Sequence, residues 1–66
     1  MKEICDRFKQ IRKQAGLTQP EYGEKIGLTR VTVNAIENYR QLPTINTLKR
    51  IKEVFGVSYN WLIEGK

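Results

Sequence analysis

Arg30, Val31, Asn34 and Ala35 carry the side chains in this chain with the most definite partner chemistry. On a helix drawn from about Arg30 to Asn38 they fall on one arc, and Val33 and Ile36 fall on the opposite side. An arginine can donate a bidentate pair to guanine O6 and N7, an asparagine can bond adenine N6 and N7, and small apolar groups can touch a thymine methyl. A helix face made for water alone would more often carry Glu, Lys or Gln at Val31 and Ala35, although single exposed apolar residues are ordinary on any surface. The arc thus combines three chemistries by which base edges in a duplex are read.

Such an arc is useful only if another element holds it clear of the core. The stretch TQPEYGEKIGLTRVTVNAIE, Thr18 to Glu37, reads as two short helices joined by the turn Gly27-Leu28-Thr29, a helix-turn-helix in one dimension. Thr18 and Glu21 have the spacing of a capping box, with Leu17 and Tyr22 at staple spacing, so helix 2 begins at Gln19. Gly27 can take the left-handed conformation that closes a helix, and Thr29 can cap the next one at once. Leu28 and Val33 repeat the staple. Two helices joined so tightly must bring their backbones close together, and Gly23 supplies a position without a side chain; the plainer reading of Gly23 is a mild helix weakener.

The remaining elements are helical too. Helix 1 is expected over about Lys2 to Ala15, with Ile4, Phe8, Ile11 and Ala15 at helical spacing before Gly16. Tyr39 to Pro43 has no helical period and reads as a loop. Thr44 caps helix 4, where Ile45, Leu48, Ile51, Val54 and Phe55 form a stripe that ends before Gly56. Ser58 caps a short helix 5 reaching about Glu64, with Val57 and Leu62 at staple spacing. No β pattern is present. The fold class is all-α, a compact five-helix bundle of one domain over residues 1–66. Its core is expected to hold Phe8, Ile11, Leu17, Ile26, Val33, Ile36, Leu48, Ile51, Phe55 and Trp61. Trp61 reads as core rather than as a stacking platform, because large aromatics dominate small cores.

The bulk numbers narrow the function. Sixty-six residues bury only about 60% of their unfolded surface, so there is no room for a second domain. No apolar run approaches the ~20 residues of a membrane span. The segment MKEICDRFKQ has no apolar region of secretory type, so a cytoplasmic location is expected. The single cysteine, Cys5, reads as a small core residue, and without histidine neither a zinc finger nor a metal-assisted hydrolase can be assembled. The carboxylates form no catalytic constellation, so neither an enzyme nor a cofactor is expected. Twelve Lys and Arg against seven Asp and Glu give +5, a charge suited to polyanions, although a basic solvated face alone would give the same balance.

The chain resembles the helix-turn-helix domain of the phage lambda repressor and Cro family, the xenobiotic-response-element type of regulator. The resemblance covers nearly the whole length. It rests on Arg12 ahead of GLTQ, the spacing from Gln19 to Gly27, GLT at the turn, Val33, Glu37, Pro43-Thr44, and the ending FGVSYNWLIEG. It implies a lambda-repressor-like bundle in which the residues at Arg30, Val31 and Asn34, and sometimes Ala35, reach base edges in the major groove. By the same carry-over Gln19 touches a phosphate, and sometimes a helix 3 partner or a base. Thr29, Asn38 and Arg40 stand where backbone phosphates are held. Arg12 commonly pairs with Glu37 in such domains, a structural ion pair that would also turn Arg12 toward the DNA backbone. Two departures stand out. Tyr39 replaces the usual glycine, which moves the left-handed residue to Asn38 or redirects the loop. Tyr22-Gly23 replaces Leu-Ala, which keeps an apolar body and a small neighbour at some cost in helix propensity.

The reading implied is a sequence-specific double-stranded DNA-binding transcriptional regulator, most often a repressor in such a family, acting as a homodimer on an inverted-repeat operator. Tyr59, Leu62 and Ile63 are candidate dimer contacts, or else they only finish the core. The competing reading is a protein-interaction module, an antitoxin or coactivator-like adaptor with secondary DNA contact, for which Asn34→Ala would leave function intact. A third is nonspecific nucleic-acid packaging, where affinity would follow salt and not sequence.

Overall fold

The computed structural model describes residues 2–66 as five helices: α1 Lys2–Gln14, α2 Gln19–Ile26, α3 Arg30–Glu37, α4 Ile45–Phe55 and α5 Tyr59–Glu64. Four of them start on a hydroxyl. Thr18 Oγ1 accepts from the Glu21 amide at 3.3 Å while the Glu21 carboxylate accepts from the Thr18 amide at 2.8 Å, so the capping box is complete. Thr29, Thr44 and Ser58 accept in the same way from Thr32, Thr47 and Trp61. The hydrogen bond from the Thr18 amide, the largest cause, with the Thr18 side chain and the Coulomb attraction of Lys25, holds the Glu21 carboxyl below its ordinary range.

The boundaries expected from sequence shift by one residue at two ends. α1 stops at Gln14, because Ala15 already belongs to the turn closed by Gly16, and Ala15 is exposed rather than part of the apolar stripe. α3 stops at Glu37, with Asn38 as its cap.

The core is built from Cys5, Phe8, Ile11, Tyr22, Ile26, Val33, Ile36, Leu48, Ile51 and Leu62, all buried. Leu17, Phe55 and Trp61, expected inside, are only partly buried against its edge, while Leu62 is fully buried and Tyr22, not expected there, is fully buried too. Tyr22 can be buried because α1 satisfies its hydroxyl, which donates to the Phe8 carbonyl at 2.7 Å. Its ring lies 4.9 Å from Phe8 and 5.7 Å from Phe55, centroid to centroid. Burial pushes the Tyr22 phenol well above its ordinary range. The α4 stripe is narrower than the sequence suggests: Leu48 and Ile51 face inward, but Ile45 is 81% exposed and Val54 is exposed too. Ile45 is the first residue of α4.

Two arginines hold the outer helices. Arg7 donates to the carbonyls of Leu62 and Ile63 at 3.1 and 3.3 Å, tying α1 to the last turn of α5. Arg50 donates to Lys25 O at 3.4 Å, linking α4 to the end of α2. Among the described residues no helix is long and apolar enough to cross a membrane.

Candidate nucleic-acid interface

The geometry of the α2–α3 unit depends on one missing side chain. A Cβ built on Gly23 would lie 2.3 Å from the Leu28 carbonyl oxygen and 3.4 Å from Val33 Cγ2, so only glycine lets the turn fold back this closely. The Leu28 amide donates to the Gly23 carbonyl at 2.8 Å across the same contact. Gly27, at φ 77°, closes α2 in the left-handed conformation and donates its own amide to Gly23 O. The backbone then turns within three residues, and Val33 and Ile36 drive α3 onto the core.

Burying that side of α3 sends its opposite arc outward. Arg30 is exposed, Val31 is 71% exposed, and Asn34 and Ala35 are half-buried at the margin. Among the described residues nothing in the protein bonds the Arg30 guanidinium. Thr29, Asn38 and Arg40 are exposed at the two ends of the same helix, and Gln19 is half-buried at the start of α2.

Beneath this surface runs a connected set of polar contacts. Arg12 reaches from α1 to Glu37 with Nε on Oε2 at 2.7 Å and Nη2 on Oε1 at 2.9 Å, and its Nη1 donates to the Leu17 carbonyl at 3.0 Å. The Glu37 side chain is only 2% exposed. Its hydrogen bonds raise the Arg12 guanidinium further above its ordinary range. Gln19 Nε2 donates to Glu37 Oε1 at 3.1 Å, and Asn34 Nδ2 donates to Gln19 Oε1 at 3.4 Å. The Arg12–Glu37 pair that the family resemblance implied is thus present. Arg12, however, spends three of the five N–H groups of a guanidinium inside the protein, so two remain. The family resemblance gave Gln19 a helix 3 partner without naming it; that partner is Glu37.

The loop after α3 differs from the expectation. Asn38 keeps a negative φ of −103°, and Tyr39 itself takes the left-handed position at φ 63°. The Tyr39 amide bonds Ile36 O and the Arg40 amide bonds Ala35 O, at 3.1 and 2.9 Å, the two bonds of a Schellman ending normally built on glycine. The cost of this conformation is offset by α1: the Tyr39 hydroxyl bonds Asp6, and the Lys2 ammonium lies 5.1 Å from the ring centre. The bond to Asp6 raises the Tyr39 phenol above its ordinary range. Asn38 Nδ2 donates to Asn34 O at 2.8 Å, leaving the other amide N–H toward solvent. Of the three dimer candidates, Tyr59 and Ile63 are exposed, and Lys52 sits 5.0 Å from the Tyr59 ring centre. Leu62 is fully buried and completes the core, so its side chain has no surface to give a partner.

Among the described residues no cluster of three or more His, Cys, Asp or Glu side chains converges on a point. Residues 8–62 match the family model described as helix-turn-helix. The HTH-type transcriptional regulator PuuR of Escherichia coli (strain K12) is 38% identical over 52 residues, which is 79% of this chain and 28% of PuuR. SinR of Bacillus subtilis (strain 168), also an HTH-type transcriptional regulator, is 34% identical over 64 residues, covering 96% of this chain and 58% of SinR. An uncharacterized HTH-type transcriptional regulator of Methanothermobacter thermautotrophicus is 40% identical over 49 residues, covering 74% of this chain and 71% of that protein. The chain therefore spans under a third of PuuR and somewhat over half of SinR.

Proposed function

Because the chain belongs to the helix-turn-helix family of the lambda repressor and Cro type, a family of DNA-binding transcriptional regulators, we propose that it is a sequence-specific repressor that docks α3 in the major groove of duplex DNA. The observation that carries this reading is the outward arc of α3. Its arginine is unoccupied among the described residues, its asparagine stands at the margin, and Val31 is left bare in water. Arg30 reads guanine, Asn34 reads adenine, and Val31 and Ala35 meet thymine methyls, with Gln19 reaching a base or phosphate beside them. Thr29, Asn38, Arg40 and the remaining N–H groups of Arg12 grip phosphates, which fix register without reading sequence.

One such module binds weakly, so two copies act on an inverted repeat, with half-sites about 34 Å apart or a multiple of it on one face of the duplex. Tyr59 and Ile63 are the side chains offered to the second copy. The test compares two alanine variants against duplexes of differing sequence. Arg30→Ala changes base preference, whereas Arg40→Ala weakens all duplexes alike. Contact with about five phosphates per protomer gives a log K against log salt slope of about −4 to −5 per protomer. A uniform loss from Arg30→Ala removes its base-reading role, and unchanged function in Asn34→Ala favours an antitoxin or coactivator-like adaptor.

A further inference from the structure

The contacts behind α3 fix more than its position. A carboxylate has lone pairs and no proton to give, so Gln19 can present only its Nε2 to Glu37. Arg12 grips both carboxylate oxygens from the other side and denies the group any other rotation. With Nε2 committed, Gln19 Oε1 turns toward α3, where it accepts an N–H from Asn34. The orientation of each amide follows from the chemistry of its neighbour, in an order that runs from Glu37 to Gln19 to Asn34. The last link, at 3.4 Å, is the longest and the most easily perturbed.

We propose that Glu37 is a positioning residue that sets the base preference of Asn34 by fixing the amide of Gln19. The proposal rests on the reading above, that Asn34 faces base edges. With one N–H on Gln19, Asn34 keeps Oδ1 and a second N–H, one acceptor and one donor, which is the pair complementary to adenine N6 and N7. Turned over, the Asn34 amide would give its oxygen to Gln19 and offer the groove two donors, which suit the N7 and O6 acceptors of guanine. The carboxylate at the base of the relay therefore biases Asn34 toward adenine. Glutamine in place of Glu37 both donates and accepts, leaves Gln19 free in either sense, and removes the bias.

The experiment is selection from a random duplex library with the whole chain as wild type and as Glu37→Gln, Gln19→Ala and Asn34→Ala, each checked for folding by a thermal melt. Asn34→Ala identifies the base pair concerned. At that base pair Glu37→Gln and Gln19→Ala are expected to lower the preference for adenine over guanine by about tenfold, while in Glu37→Gln preferences elsewhere in the half-site hold. Gln19→Ala keeps the Arg12–Glu37 pair, so it carries the test where loss of that pair unfolds Glu37→Gln. An unchanged adenine preference in the folded Glu37→Gln or Gln19→Ala protein, with binding weakened equally on all sequences, overturns the relay and leaves the base-reading role of Asn34 standing. A wild-type pool whose preferences Asn34→Ala does not alter overturns both.

Discussion

Gly23→Ala separates two physical effects of opposite sign. Helix propensity alone favours alanine over glycine inside a helix by about 1 kcal/mol, so at an ordinary site in α2 the substitution would stabilise. Here the new methyl would meet the Leu28 carbonyl oxygen at 2.3 Å, and the turn would have to open by about 0.7 Å to restore even a 3.0 Å separation. The obstacle is backbone and cannot rotate away, and Val33 at 3.4 Å closes the other direction. Overpacking of this kind costs about 1–3 kcal/mol, and the strained bond from Leu28 N to Gly23 O adds about 1 kcal/mol, so the net loss is about 2 kcal/mol after the propensity gain. For a domain of this size that lowers Tm by about 10 °C. The assay is a thermal melt followed by circular dichroism, with Glu24→Ala, at an exposed site in the same helix, as the reference. Affinity for duplex DNA is expected to fall further than stability requires, because opening the turn moves Gln19 relative to Glu37 and Asn34. A Tm for Gly23→Ala equal to or above wild type would refute the close-approach argument.

Arg12→Leu strips a side chain 2% exposed, Glu37, of its bidentate partner, and urea denaturation should show a loss of about 3 kcal/mol; a loss below about 1 kcal/mol would mean the pair is not an interior link. Tyr22→Phe removes the hydroxyl that donates to Phe8 O and should cost about 1 kcal/mol at neutral pH. The same phenol has its folded pKa raised by burial, so above pH about 10 the unfolded chain loses this proton first and stability falls with rising pH, by up to about 1.4 kcal/mol per unit. Tyr22→Phe should flatten that alkaline slope, and an unchanged slope would place the cause elsewhere. Thr18→Ala breaks the capping box and should lower stability by about 1 kcal/mol. Glu21 has its carboxyl lowered by the Thr18 amide, so its contribution is full above its ordinary range and fades as pH drops through the lowered value; Glu21→Gln should therefore reduce the acid dependence of the melt.

The parts of the fold that could be read from sequence are those governed by neighbours in the chain. Thr18, Thr29, Thr44 and Ser58 each cap the helix that follows, and Gly27 closes α2, because caps act within four residues. Gly23 was legible for a related reason, since so short a turn forces a close approach. What escaped depends on distant partners. Tyr22 lies at the centre of the core because a carbonyl of α1 receives its hydroxyl, and no periodicity within α2 announces that. Ile45 fits the apolar stripe of α4 yet stands in solvent, because a stripe records which residues could pack and not which do. Tyr39 in a glycine conformation is made tolerable by Asp6 and Lys2 of α1, whereas the sequence left open a left-handed Asn38 or a redirected loop. At the candidate interface the outward arc of α3 followed from helical spacing. The Arg12–Glu37 pair and a helix 3 partner for Gln19 came from the family pattern, and that Gln19 joins Glu37 to Asn34 required the assembled structure.

The central claim is that α3 reads a specific duplex sequence as part of a dimer. Selection of the wild-type chain from a random duplex library near physiological salt, followed by sequencing of the bound pool, tests it most directly. The account expects an enriched inverted repeat whose half-sites are centred about one helical turn apart, or a multiple of it. A folded protein that enriches no sequence, while its affinity tracks only salt, would contradict it.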